Sequence, residues 1–178
     1  MSSKEGLVGT ELTAEPGSQI LLSLSSMQSP LTLLPPDARR NLIVVSSEPP
    51  TNIAETVTAV VDDLDTVAHV PISGSETEYS GPMWTCDPLV PDDLTGLSMR
   101  LSRAFEALGQ AEGYLLVENL SVFLLYAAHA RVIRFLDHVT GLAEDHGITG
   151  VYGLVGDAVD EETHHRLRVT VDTEIDCR

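Results

Sequence analysis

The chain has 178 residues, which favours a single domain with a core large enough to fold without a metal or disulfide staple. Ten basic residues against twenty-seven acidic ones leave a net charge of −17. That balance argues against nucleic acid and anionic membrane surfaces as partners, because both are recognised through clustered Lys and Arg.

Residues 1–16 read as a flexible N-terminal segment and 17–178 as one α/β domain. Gln19-Ile-Leu-Leu-Ser-Leu24 and Asn41-Leu-Ile-Val-Val-Ser46 are short apolar runs with little polar alternation, the pattern of strands buried on both faces. After Pro49-Pro50, Asn52-Ile-Ala-Glu55 has the signature of a capping box, and Ile53, Thr56, Val57, Val60, Val61 and Leu64 recur at helical spacing. Residues 66–72 predict a third strand, followed by a Gly-, Ser- and Pro-rich loop to Pro91. Asp92-Asp93 opens a helix with Leu94, Leu97, Leu101, Phe105 and Leu108 on one stripe and Gly109 as its stop.

Residues 114–117 predict a fourth strand, which ends at the polar pair Glu118-Asn119. The segment 120–128 fits either a buried helix or extended chain. From Ala130 a helix is clear, with Val132, Ile133, Leu136, Val139 and Leu142 on one side and Gly147 beyond its end. Residues 150–155 predict a fifth strand, 160–167 a short capped helix and 169–175 a final strand. This alternation predicts a three-layer sandwich, a mainly parallel central sheet with helices on both faces.

Lys4 is the single lysine, and the other nine basic residues are arginine. Apolar residues reach 43%, too many for a disordered acidic tail, so the acids coat a folded domain. So large a net charge opposes compaction by self-repulsion, which molar salt screens to a Debye length of about 3 Å. A halophilic protein in a high-salt cytoplasm is therefore expected. Cys86 and Cys177 fit neither a C-x-x-C pair nor a disulfide framework, and reduced thiols are expected. The first twelve residues contain no apolar signal core, and no apolar run reaches the roughly 18 residues of a membrane helix. The expected product is soluble and intracellular.

Ligands of such sheets bind outside the carboxyl ends of the strands. A phosphate loop there needs glycine amides and a lysine. Leu24 is followed by Ser25-Ser-Met-Gln-Ser-Pro30, no glycine lies between Gly17 and Gly74, and Pro30 removes an N–H where such a loop would enter its helix. A standard phosphate loop is excluded. Asp160-Glu-Glu-Thr-His-His165 reads as an acidic helix start followed by exposed histidines rather than a metal site. Gly150, Gly153 and Gly156 do not have dinucleotide-fingerprint spacing and are expected to permit close helix packing on the last strands. No G-x-S-x-G elbow is present. Arg39-Arg40, just before the second strand, reads as a solvated turn, with a contact to a partner as the alternative.

The remaining pattern nonetheless resembles the RecA/KaiC-like ATPase domain, in particular a degenerate group of small haloarchaeal relatives lacking the Walker A loop. Gly17-Ser-Gln-Ile-Leu-Leu22 looks like the strand before Walker A. Residues 41–50 look like the strand and acidic turn where KaiC-type enzymes keep paired catalytic glutamates. Asp93-Leu-Thr-Gly-Leu97 looks like the opening of the helix before Walker B, and Leu115-Leu-Val-Glu-Asn-Leu-Ser121 like the Walker B strand with its following helix, the similarity continuing through Phe123–Tyr126 and Arg134–Leu136.

The departures from that family decide the functional expectation. Glu118-Asn119 stands where the family carries aspartate and serine, and of the paired glutamates only Glu48 has a counterpart, with Ser47 in the other slot. Glutamate could still hold a Mg²⁺-bound water, but its extra methylene displaces the oxygens in a geometry that demands near-ideal octahedra. Phosphoryl transfer is almost wholly positioning and charge stabilisation, so losing the loop, the lysine and the metal aspartate removes most of the catalyst. Glu48, Glu118 and Asn119 are then remnants of a degenerate site. Each also has a plainer reading, Glu48 as a solvated turn residue and Glu118-Asn119 as a strand terminus that caps the next segment.

The expected function is a non-catalytic, pseudo-ATPase module that needs no cofactor or metal. It would regulate or scaffold through self-association or by binding a partner such as a RecA-like paralogue. The alternative is an ATP or GTP binder whose unconventional loop uses the Ser25, Ser26 and Ser29 hydroxyls. An enzyme of another class has no supporting motif.

Overall fold

The computed structural model describes residues 6–8, 11–25, 28–35, 38, 41–58, 63–72, 79–108, 112–155 and 159–178. In chain order the strands are β1 (Gly6–Val8), β2 (Glu11–Thr13), β3 (Gln19–Leu24), β4 (Leu42–Ser46), β5 (Val67–Pro71), β6 (Trp84–Thr85), β7 (Gly113–Val117), β8 (Ile148–Val155) and β9 (Thr173–Asp176). The helices are α1 (Pro50–Thr58), α2 (Leu94–Leu108), α3 (Leu120–Tyr126), α4 (His129–Asp145) and α5 (Glu161–Thr170). Seven strands form one sheet in the order β6-β5-β4-β7-β8-β3-β9, with every neighbouring pair parallel.

The two faces of this sheet are covered unequally. Along β4 and β7, Ile43, Val45, Leu115 and Val117 face a core built with α2, α3, α4 and α5. The alternate residues Leu42, Val44, Tyr114 and Leu116 face a second core with Ile53 and Val57 of α1, Leu31 and Leu12. Strand alternation thus assigns each apolar run to both layers at once, which is why these runs lack polar positions.

Gln19 is an exception, polar and wholly buried. Its side-chain amide donates to the carbonyls of Gly17 (3.0 Å) and Ile148 (2.9 Å), and its oxygen accepts from the Tyr152 hydroxyl at 2.7 Å. Every polar side-chain atom of the pair is therefore satisfied inside the sheet.

Several boundaries differ from the sequence expectation. Helix α1 starts at Pro50, whose fixed φ suits a first helical position, so Asn52 lies inside the helix and not at its cap. Residues 59–62, with Val60 and Val61, lie outside the described residues, and Leu64 belongs to a 3-10 turn whose cap is Asp63. The ambiguous segment after Asn119 is helical as far as Tyr126. Helix α5 runs through Val169, which is 64% exposed, and the last strand starts only at Thr173, where it can pair with β3. Strand β6 is a two-residue edge inside what reads as loop. Within the N-terminal segment expected to be flexible, β1 and β2 pair as an antiparallel ribbon and Leu12 is fully buried. No described helix is long and apolar enough to cross a membrane.

Candidate functional site

Strands β3 and β7, which carry the two nucleotide-motif resemblances, flank β8, so their carboxyl ends open on the same edge of the sheet. At the end of β3 the backbone turns back on itself. The Ser25 N–H donates to the Gln28 side-chain oxygen (2.8 Å), the Ser25 carbonyl accepts from the Gln28 N–H (3.2 Å), and the Gln28 amide donates to the Cys177 carbonyl.

Ser29 precedes a 3-10 turn, Pro30–Leu33, without capping it, and its carbonyl accepts from the Thr32 hydroxyl. Ser26 lies outside the described residues, as do Arg39, Arg40 and Gly156. Of the three serine candidates, Ser25 and Ser29 therefore bracket a short turn, and Ser25 has both backbone groups occupied.

The neighbours of this turn are paired charges, with Arg178 bonded to Asp176 at 3.1 Å. Strand β9 pairs with β3 so that Asp176 lies beside Ser23, and Glu174 accepts hydrogen bonds from the buried Ser23 hydroxyl and from His164 of α5. Burial alone would raise the Glu174 pKa, but Ser23, His164 and Arg168 outweigh it and hold the carboxyl below its usual value. Ser23, Glu174 and His164 superficially make a hydrolase set. Both Ser23 and His164 bond to the Glu174 carboxylate, however, and the histidine does not touch the serine hydroxyl, so the serine–histidine–acid order is not made. His164, expected to be exposed, is half-buried by this contact, while His165 is exposed. Asp160 caps α5 by accepting from the Thr163 N–H at 2.7 Å, and no cluster of metal-ligating side chains occurs among the described residues.

The second group of residues lies where β4 and β7 end side by side. The Glu118 N–H donates to the Val45 carbonyl (2.9 Å) and the Glu48 N–H to the Ser46 hydroxyl (2.9 Å), which brings both glutamates to one rim. Burial, then the charge of Glu48, raise the Glu118 pKa, and a hydrogen bond from Ser46 opposes them. The space enclosed by Ser46, Ser47, Glu118, Asn119 and the Phe123 ring is about 10 Å³, room for roughly one water. Asn119 is the N-cap of α3, its side-chain oxygen accepting from the Ser121 N–H at 2.9 Å. Its strand-terminating, helix-capping reading is the one the geometry bears out.

The expectation that Gly150 and Gly153 admit a closely packed helix is corrected. A Cβ on Gly153 would collide with the Glu118 carbonyl, and one on Gly150 with the Gln19 and Tyr152 side chains. Both glycines therefore serve the strand ends and the internal hydrogen bond, not a helix. Both groups join residues distant in the chain; the motif resemblance had singled out Glu48 and Glu118, whereas no local signal announced the Ser23–Glu174–His164 cluster.

A parallel seven-stranded sheet in this order, with helices on both faces, makes an α/β domain, and a solved KaiC-like structure shares its fold. The KaiC-like protein PH0186 from the hyperthermophilic archaeon Pyrococcus horikoshii OT3 superposes with a TM-score of 0.64 at 10% identity, over 98% of this chain and 80% of its own. The uncharacterized protein PH0321 from Pyrococcus horikoshii, solved in complex with an unknown peptide, gives 0.65 at 12% identity over 93% and 79%. Likeness at such identities speaks for fold alone. Among curated proteins none matches. Residues 27–177 match the family of unknown function DUF7504, and the chain belongs to that family.

Proposed function

We propose that this chain is a non-catalytic, KaiC-like module that regulates or scaffolds in a high-salt cytoplasm, by assembling with itself or with a RecA-like paralogue. The closed turn after β3 carries this reading. Binding a triphosphate takes free amides and positive charge. The Ser25 backbone is instead occupied by Gln28, and the nearby cations are already engaged, Arg178 by Asp176 and His164 by Glu174.

The rim between β4 and β7 points the same way. Its enclosed volume suits one water, and its acid is displaced towards the protonated form by burial and by its own neighbour, which weakens it as a metal ligand. A surface for a partner is available where α3 ends, with Leu125 79% and Tyr126 63% exposed.

Calorimetry with Mg-ATP and Mg-GTP in molar KCl, paired with sedimentation equilibrium, tests the reading. Expected are no heat of binding and either a self-associated species or a complex with a co-expressed paralogue, weakened by Leu125→Asp. A saturable nucleotide heat, or a monomer that ignores every paralogue, would overturn it.

A further inference from the structure

A larger cavity lies at the opposite edge of the sheet, near the amino ends of β4 and β5 and under α2. It measures about 590 Å³, within the roughly 300–1,000 Å³ range of small-molecule sites, whereas the rim beside Glu118 encloses only about 10 Å³. Helix α2 builds it by carrying two stripes. Leu94, Leu97, Leu101 and Phe105 fill the core, while Arg100, Arg103, Ala104 and Ala107, at the same helical spacing, line the cavity. The two alanines leave open the volume that leucines fill on the core stripe.

On the sheet side the floor is Ile43 and Ala68, and the wall is Trp84 of the edge strand β6. Trp84 is 50% exposed, and its side chain faces the cavity rather than the core.

The charges are equally unusual for this protein. A chain of net charge −17 places two of its ten basic residues on one apolar wall. Among the described residues no carboxylate forms an ion pair with either arginine, and the charge of Arg100 acts on the Cys86 thiol, opposing the rise in its pKa that burial causes. Asp65 also borders the cavity, so among its lining residues there are two cations to one anion. Two arginines one turn apart can take a carboxylate, sulfonate or phosphate through charge-assisted hydrogen bonds, and an indole beside them offers a stacking face.

We infer that the cavity formed by Trp84, Arg100, Arg103, Ala104 and Ala107 binds a small aromatic acid, its ring against Trp84 and its anionic group on the two arginines. The cavity lies away from the carboxyl ends of β3 and β7, so the outcome of nucleotide calorimetry does not bear on it.

Trp84 is the chain's single tryptophan, which makes it a built-in reporter. The probe is 8-anilinonaphthalene-1-sulfonate, with N-phenyl-1-naphthylamine as the same ring system lacking the anion, titrated in molar KCl while energy transfer from Trp84 is read. Expected is saturable one-to-one binding of the sulfonate to the folded chain, with at least about tenfold weaker binding of the neutral analogue. R100Q/R103Q should lose about tenfold for the sulfonate and change the neutral probe by less than about twofold. A104L/A107L should block both, with unchanged circular dichroism confirming that the variants fold. Non-saturable binding, equal affinity for the two probes, or full sulfonate affinity in either double variant would overturn the inference.

Discussion

His69 is wholly buried in β5, and among the described residues neither ring nitrogen has a partner in hydrogen-bond geometry. Burial lowers its pKa to about 4 from 6.5, with the Ser46 backbone pulling weakly the other way. The folded state therefore holds the ring neutral while the unfolded chain takes up a proton below pH 6.5. Stability must fall as pH drops from 6.5 towards 4, and be unaffected by this group above 6.5. At about 1.4 kcal/mol per pH unit the shift corresponds to a full loss of about 3 kcal/mol. His69→Leu removes both the titration and an unpaired polar ring whose burial costs on the order of 1–3 kcal/mol. The variant should be more stable by about 1–2 kcal/mol at pH 7. That corresponds to about 2–8 °C in Tm for a chain of this size. Denaturant unfolding of both proteins at pH 4.5, 5.5 and 7.0 in molar KCl isolates the effect as a difference, because the other histidines and the carboxylates titrate in both. If His69→Leu loses stability at pH 7, or if the two proteins keep the same slope between pH 4.5 and 6.5, the ring is hydrogen-bonded or charged and the reasoning fails.

Asn119→Ala should cost about 1 kcal/mol by uncapping α3, while Asn119→Asp retains most of it, as thermal unfolding will read. Gly153→Ala should cost about 1–3 kcal/mol because the added methyl meets the Glu118 carbonyl rather than a movable side chain; an unchanged Tm would refute that contact. Since the folded-state pKa of Glu118 is raised, its contribution to stability declines as pH rises through 4.5 and beyond, and Glu118→Gln should raise Tm at pH 7 but not at pH 4. Stability should also climb with KCl towards 1 M, since the self-repulsion of seventeen net negative charges is then screened; no gain over dilute buffer would remove the halophilic expectation.

The alternation of elements is legible in the sequence because it is locally encoded. Runs such as 20–22 and 42–45 are apolar at every position since both faces of their strands are covered, and Asp93 and Asp160 mark helix starts with side chains that reach only a few residues ahead. The missing glycines and lysine after Leu24 are equally plain, being a matter of residue identity. Boundaries set by competition are not: Pro50 overrides the capping signature at Asn52, and β9 begins only where β3 offers an edge.

What needs the folded chain is everything that depends on strand order. Ser23 and Glu174 stand 151 positions apart, Glu48 comes near Glu118 because β4 adjoins β7, and Trp84 lines one cavity with Arg100 because a two-residue strand joins the sheet beneath α2. Periodicity encodes which face of an element is apolar. It carries no information on which neighbour that face will find, since that choice is made by the packing of all the layers together.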